Sequence, residues 1–214
     1  MSTIFALLLI AAATPQPSTM KVPIFGEVHL YGTSTKPLHV ILFLSGDGGW
    51  NKGVVAMAKS LAIDGALVAG IDTALYLKRL NKQHDCGYPA ADFEMLSKAV
   101  QKQAAVDNYT LPVVVGYSSG ATLAYVAAAQ AAPGVLAGAV SLGFCTDLPM
   151  TKAMCRGHGM PSVERKPGQW DFGAVAGPLG WRILHGNQDQ VGRFRLFRTS
   201  LAQCGVHSWS SSTA

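Results

Sequence analysis

Apolar residues fall along the chain in short blocks that switch between two periods. Residues 37–44 (PLHVILFL) and 66–71 (ALVAGI) are near-continuous apolar runs. Their length and partial β-branching suit strands buried on both faces. Residues 112–115, 137–142 and 181–184 predict three more strands, and 22–31 (VPIFGEVHLY) predicts an early strand or hairpin. Between them, 54–63, 91–106 and 121–130 carry helical spacing, with Gly65 as a stop behind the first. Strands alternating with helices predict βαβ units, and so one α/β domain with a mostly parallel sheet and helices on both faces. Residues 146–180 are richer in Pro and Gly and less periodic. They predict a loop excursion over the carboxyl end of the strands, the end where open α/β sheets hold ligands.

Composition narrows the partners. The 214 residues are 49% hydrophobic and 14% charged, with a formal net charge of +5; charged residues are about 25% of a typical domain. That is ample material for a core. No run of five like charges exists, so a nucleic-acid partner is not expected. Residues 4–13 (IFALLLIAAA) form an apolar block shorter than the ~20 residues of a bilayer span, and within the ~7–15 of a signal-peptide core. Ala11 to Ala13 supply small residues for cleavage. Residues 1–20 are therefore expected to be a signal peptide that directs residues 21–214, a single domain, to the periplasm.

Cys86, Cys145, Cys155 and Cys204 suit such an oxidising compartment. Cys145 and Cys155, close in sequence, form the first expected disulfide pair. A zinc site from Cys145, Cys155 and His158 is the weaker alternative, because the close Cys spacing of common structural sites and a fourth ligand are missing. No metal or cofactor is expected.

The chemistry concentrates at Gly116-Tyr117-Ser118-Ser119-Gly120. This run fits G-x-S-x-G, with an apolar strand before it and a helical segment after it. A sharp turn there lifts the serine hydroxyl above the sheet, and flanking glycines leave room for neighbouring backbone. Ser118 is the candidate nucleophile, and the Ser119 amide at the helix start is a candidate oxyanion donor. The glycine-rich turn Ser45-Gly46-Asp47-Gly48-Gly49-Trp50 follows the first long strand and resembles esterase oxyanion loops, making Gly46 or Asp47 the second donor. It lacks the spacing of either nucleotide-binding glycine motif.

A triad acid is expected after a late strand. Asp189, behind the turn His185-Gly186-Asn187-Gln188, fits that place, and Asp147 is the alternative. Asp72 also follows a strand but precedes the serine, against the order Ser, Asp, His. His207 is the one histidine after Asp189 and so the candidate base. From Gly192 onward there is no Asp or Glu, with three Arg and five Ser. Residues 192–214 therefore read as atypical, altered or truncated, and the C-terminal strand and helix as incomplete.

Six segments resemble the VirJ/AcvB family of bacterial virulence proteins: LSGDGGWNKGV (44–54), AGIDT (69–73), CGYPAADFE (86–94), GYSSGATLAY (116–125), SLGFCTDLP (141–149) and HGNQDQV (185–191). The resemblance covers most of residues 37–191. It implies a periplasmic α/β-hydrolase-like domain with Ser118 as nucleophile and Asp189 as acid. For AcvB-like members it implies hydrolysis of aminoacyl-phosphatidylglycerol, typically the lysyl form, an ester substrate at the membrane surface. For VirJ-like members it implies support of type IV secretion, with secretion components or secreted proteins as partners. The glycine-flanked histidine of the family is not matched here, since Val206 precedes His207.

Overall fold

A computed structural model of the chain describes residues 17–32, 35–63, 65–175 and 180–184. An antiparallel hairpin opens the fold, β1 (Ser18–Val22) and β2 (Gly26–Tyr31). Then come β3 (His39–Leu44), α1 (Lys52–Ile63), β4 (Ala66–Ile71), α2 (Thr73–Leu80), α3 (Pro89–Gln103), β5 (Val113–Tyr117), α4 (Ser119–Gln130) and β6 (Gly138–Leu142). β7 (Asp147–Leu148), β8 (Ser162–Lys166), β9 (Gln169–Phe172) and β10 (Trp181–Leu184) follow.

Seven strands form one sheet in the order β1-β2-β4-β3-β5-β6-β10. Every pairing from β4 to β10 is parallel; β1 and β2 join antiparallel at one edge. β3 lies at the centre, between β4 and β5. That place explains why its apolar run is continuous, since Val40 to Leu44 are all buried and both faces are covered. Leu42, Leu44, Leu67, Ala69 and Val114 face a core shared with α2, α3 and α4. Phe43, Val68 and Val115 face the other side, packed by Val54 and Ala58 of α1. Helices on both faces are thus as expected.

α4 is apolar or small at nearly every position and buried along nearly its whole length. A helix without a polar face must lie inside the fold, and its alanines let it approach the sheet closely. Two elements depart from the sequence expectation. α2, an eight-residue helix, starts at the Asp72 cap, which accepts from the Leu75 amide. Residues 146–180 do not merely loop: β7, β9 and β8 form a small antiparallel sheet. The sheet packs Leu148 and Phe172 into the main core, and the segment between β7 and β8 adds Met150 and Met160.

The disulfide expectation needs correction. Cys155 pairs with Cys86, not Cys145. A short parallel bridge between Gly87 and Met154 sets the two segments side by side, through Gly87 N–H to Ala153 O at 3.0 Å and Cys155 N–H to Gly87 O at 2.9 Å. Buried Gln130 reinforces this, its amide donating to Gly87 O and Cys155 O and accepting from Ala90 N–H. Backbone pairing across the fold, not nearness in sequence, selects the partner. Cys155 is thereby removed from the zinc alternative.

Candidate active site

The apex of the β5–α4 turn is Ser118, at φ 56° and ψ −123°. A non-glycine residue in that region costs on the order of 1–3 kcal/mol and persists only where its surroundings hold it. The surroundings here are explicit. Ser118 N–H donates to Leu142 O at 2.9 Å, and its carbonyl accepts from Ala121 N–H at 2.8 Å. A Cβ on Gly116 would lie 1.9 Å from Gly120 O, and one on Gly120 would lie 2.4 Å from Ser45 O. Neither glycine admits a side chain, so the turn closes only with glycine at both places. That is the physical content of the two outer positions of the motif.

The loop after β3 meets this apex. A Cβ built on Gly46 would stand 3.0 Å from Ser118 Cβ and 3.5 Å from Ser118 Oγ. Gly46 is buried against the serine, and Asp47, one residue on, is exposed. Ser119 opens α4 and is itself buried. Gly46, Ser118 and Ser119 are therefore brought together, with Asp47 exposed one residue beyond Gly46. A hydroxyl raised on such an apex, beside a helix N-terminus and a close glycine backbone, is suited to attack a carbonyl whose oxygen becomes anionic.

Trp50 fixes the far end of that loop. Its ring lies on Gly70 of β4, where a Cβ would come within 2.0 Å of the indole. His29, the register partner of Gly70 on β2, stacks on the same ring at 5.1 Å and 6° between planes. The sequence expectation passed over this packing; its signal was the glycine inside an otherwise apolar strand, which marks close approach of another group.

Asp147 sits in β7 and accepts from Gln169 Nε2 at 2.5 Å, half-buried. Asp189 and His207 lie outside the described residues. His158 is at the far end of α4 from Ser118, with its backbone N–H bonded to Ala129 O and its Nε2 at 2.9 Å from Ala131 O. His39 opens β3, opposite the end that leads into Gly46.

The sheet order, the crossover helices and a serine elbow between β5 and α4 define an α/β-hydrolase-like protein. Residues 39–135 match the family described as bacterial virulence protein (VirJ), which bears out the resemblance carried by the motifs over that stretch. No curated protein matches the chain. Similar solved structures include a thermostable carboxyl esterase from Bacillus coagulans, at 23% identity and TM-score 0.44 over 61% of this chain. A puromycin-hydrolyzing peptidase from Mycobacterium tuberculosis follows at 15% and 0.47 over 66%. An alpha/beta hydrolase fold protein from Nakamurella multipartita stands at 22% and 0.39 over 60%. The chain spans 44%, 24% and 41% of the lengths of those three proteins.

Proposed function

We propose that the protein is a serine hydrolase of carboxylic esters, acting through Ser118. The observation that carries this is the apex conformation of Ser118 with Gly46 packed against it. Ser118 Oγ attacks the ester carbonyl as a base takes its proton. The tetrahedral oxyanion accepts hydrogen bonds from the Ser119 amide and from an amide of the Gly46–Asp47 turn. Collapse expels the alcohol and leaves an acyl-serine, which water hydrolyses. In the sequence, Asp189 and His207 are the residues offered as acid and base.

The resemblance to the VirJ/AcvB family supports a finer substrate class: an aminoacylated phospholipid, such as lysyl-phosphatidylglycerol, met at the periplasmic membrane surface. Exposed Asp47, one residue beyond Gly46, is an anionic group where the cationic amine of such a headgroup would arrive. The Cys86–Cys155 disulfide supports an oxidising compartment. No helix among the described residues is long and apolar enough to cross a membrane.

The test pairs a fluorophosphonate probe with vesicles containing lysyl-phosphatidylglycerol. Wild type is expected to be labelled and to release lysine, and Ser118→Ala to do neither. Equal labelling of both proteins would sink the hydrolase proposal. A partner pull-down that survives Ser118→Ala, with no hydrolysis by either protein, would instead identify a non-catalytic accessory of secretion.

A further inference from the structure

We propose that Asp72 is a positioning residue that latches the 45–50 loop over Ser118. The proposal rests on the hydrolase reading of that site and deepens it. Asp72 caps α2, with Oδ1 accepting from Leu75 N–H at 2.9 Å. Its second oxygen is used elsewhere: Oδ2 accepts from Trp50 N–H at 3.3 Å. Gly49, at φ 65°, lies against the same carboxylate, and a Cβ there would stand 2.8 Å from Oδ2. A side chain at that position would push the loop off its anchor.

The near end of the loop ties to the same segment. Ser45 N–H donates to Ile71 O at 3.0 Å, and Ser45 Oγ accepts from Thr73 N–H at 3.0 Å. Both ends of the 45–50 turn are thus bonded to residues 71–73. Gly46 lies between those two anchors with its α-carbon against Ser118, and Asp47 follows it in the turn. An oxyanion donor displaced by a fraction of an ångström loses much of its effect, so whatever holds the turn sets the rate. Each carboxylate oxygen accepts from a backbone N–H group, so Asp72 serves the loop and the helix at once.

Two oxygens with two separate duties make the role separable by mutation. Asparagine caps a helix as well as aspartate does, but it carries one acceptor oxygen and an NH₂ group. With its carbonyl on Leu75, Asp72→Asn turns that NH₂ toward Trp50 N–H, which cannot bond it. Asp72→Ala removes both duties.

The experiment compares the full-length wild type, Asp72→Asn and Asp72→Ala by amide hydrogen exchange. Peptides covering 45–51 and 73–80 are followed alongside fluorophosphonate labelling and p-nitrophenyl ester kinetics. For Asp72→Asn we expect exchange in 45–51 to quicken by about tenfold, with 73–80 at wild-type rates. Labelling and kcat should fall by about tenfold or more, with KM within about threefold. Asp72→Ala should loosen both peptides. Wild-type exchange at 45–51 in Asp72→Asn would overturn the proposal. So would quickening confined to 73–80 or shared equally by both peptides, and so would a loosened loop with unchanged kcat in an active wild type. If wild type itself is unreactive while Asp72→Asn loosens 45–51 alone, the latch stands and the hydrolase reading fails.

Discussion

Gly46 and Ser118 come from different strand ends, yet a Cβ on Gly46 would stand 3.0 Å from Ser118 Cβ. That contact is tighter than side-chain carbons ordinarily make, and neither partner has room to give. Ser118 is held by Leu142 and Ala121, and the glycine loop by residues 71–73. Gly46→Ala should therefore move the loop away from the hydroxyl. Removal of one oxyanion donor costs ~10²–10³ in kcat, and a displaced donor should cost about tenfold or more. Fluorophosphonate labelling rates of the two folded proteins measure this. An unchanged rate would show that Gly46 is not beside the developing charge.

Gly70 and Trp50 make a second steric prediction. An alanine at 70 would set its methyl within 2.0 Å of the indole. The ring is already stacked against His29 and edge-on to Phe43, so it cannot slide aside freely. Overpacking of this kind costs about 1–3 kcal/mol. Urea unfolding of Gly70→Ala should show that loss with an unchanged m-value, and a stability equal to wild type would contradict the packing.

The central sheet was legible because its strands are buried on both faces, which leaves an unbroken apolar signature in 37–44 and 66–71. The elbow was legible because strand, glycines and helix are adjacent in sequence. α2 was passed over because TALYLKRL is one short helix, with Asp72 weighed as a possible acid instead of a cap. β8 was invisible for a different reason: SVERK is solvent-exposed along most of its length, so no apolar period marks it. The Cys86–Cys155 pairing depends on a bridge between segments far apart in sequence, and no local pattern encodes that.

The disulfide spans a sequence separation of 69 residues. Crosslinks over loops of that size stabilise by about 2–5 kcal/mol, chiefly through the unfolded chain in the entropic account. Cys86→Ser with Cys155→Ser should lower stability by that amount in non-reducing buffer. Reductant should then narrow the gap between wild type and the double variant. Gln130 still bonds both segments in the variant, so the fold itself should survive, as read by circular dichroism.

Asp92 gives a pH prediction. Burial raises its carboxyl above the ordinary 3.8, opposed by the hydrogen bond that Tyr76 Oη donates to it at 2.7 Å. A raised carboxyl pKa means that the folded state favours the proton more than the unfolded chain does. The stability it lends is complete below pH 3.8 and is lost as pH rises through the folded value. Asp92→Asn keeps an acceptor for Tyr76 without the charge. Relative to wild type, the variant should gain stability between pH 3.8 and neutrality. Urea midpoints at several pH values check this, and a variant that loses ground as pH rises would reverse the sign.

The base is the last prediction, and geometry removes four of six histidines. α4 has 12 residues, about 18 Å at 1.5 Å each, and His158 is bonded at the end away from Ser118. His39 opens β3 and Gly46 lies beyond its far end at Leu44, and the strand's five steps span about 17 Å at 3.3 Å per residue. His29 is stacked flat on Trp50, and His84 is exposed beyond the end of α2. A base must reach within about 2.6–3.2 Å of Ser118 Oγ. Alanine at 39, 84 or 158 should therefore leave kcat within about threefold. His207 follows Asp189 by 18 residues (207 − 189 = 18), and Val206 precedes it, so the glycine-flanked histidine that the resemblance implies is not matched there. Replacing a histidine that is not the base leaves the proton transfer intact, so His207→Ala should lose less than about a hundredfold in kcat. A loss of a hundredfold or more in His207→Ala would make that residue the working base, and a collapse of kcat in His39→Ala or His158→Ala would overturn the distances argued from β3 and α4.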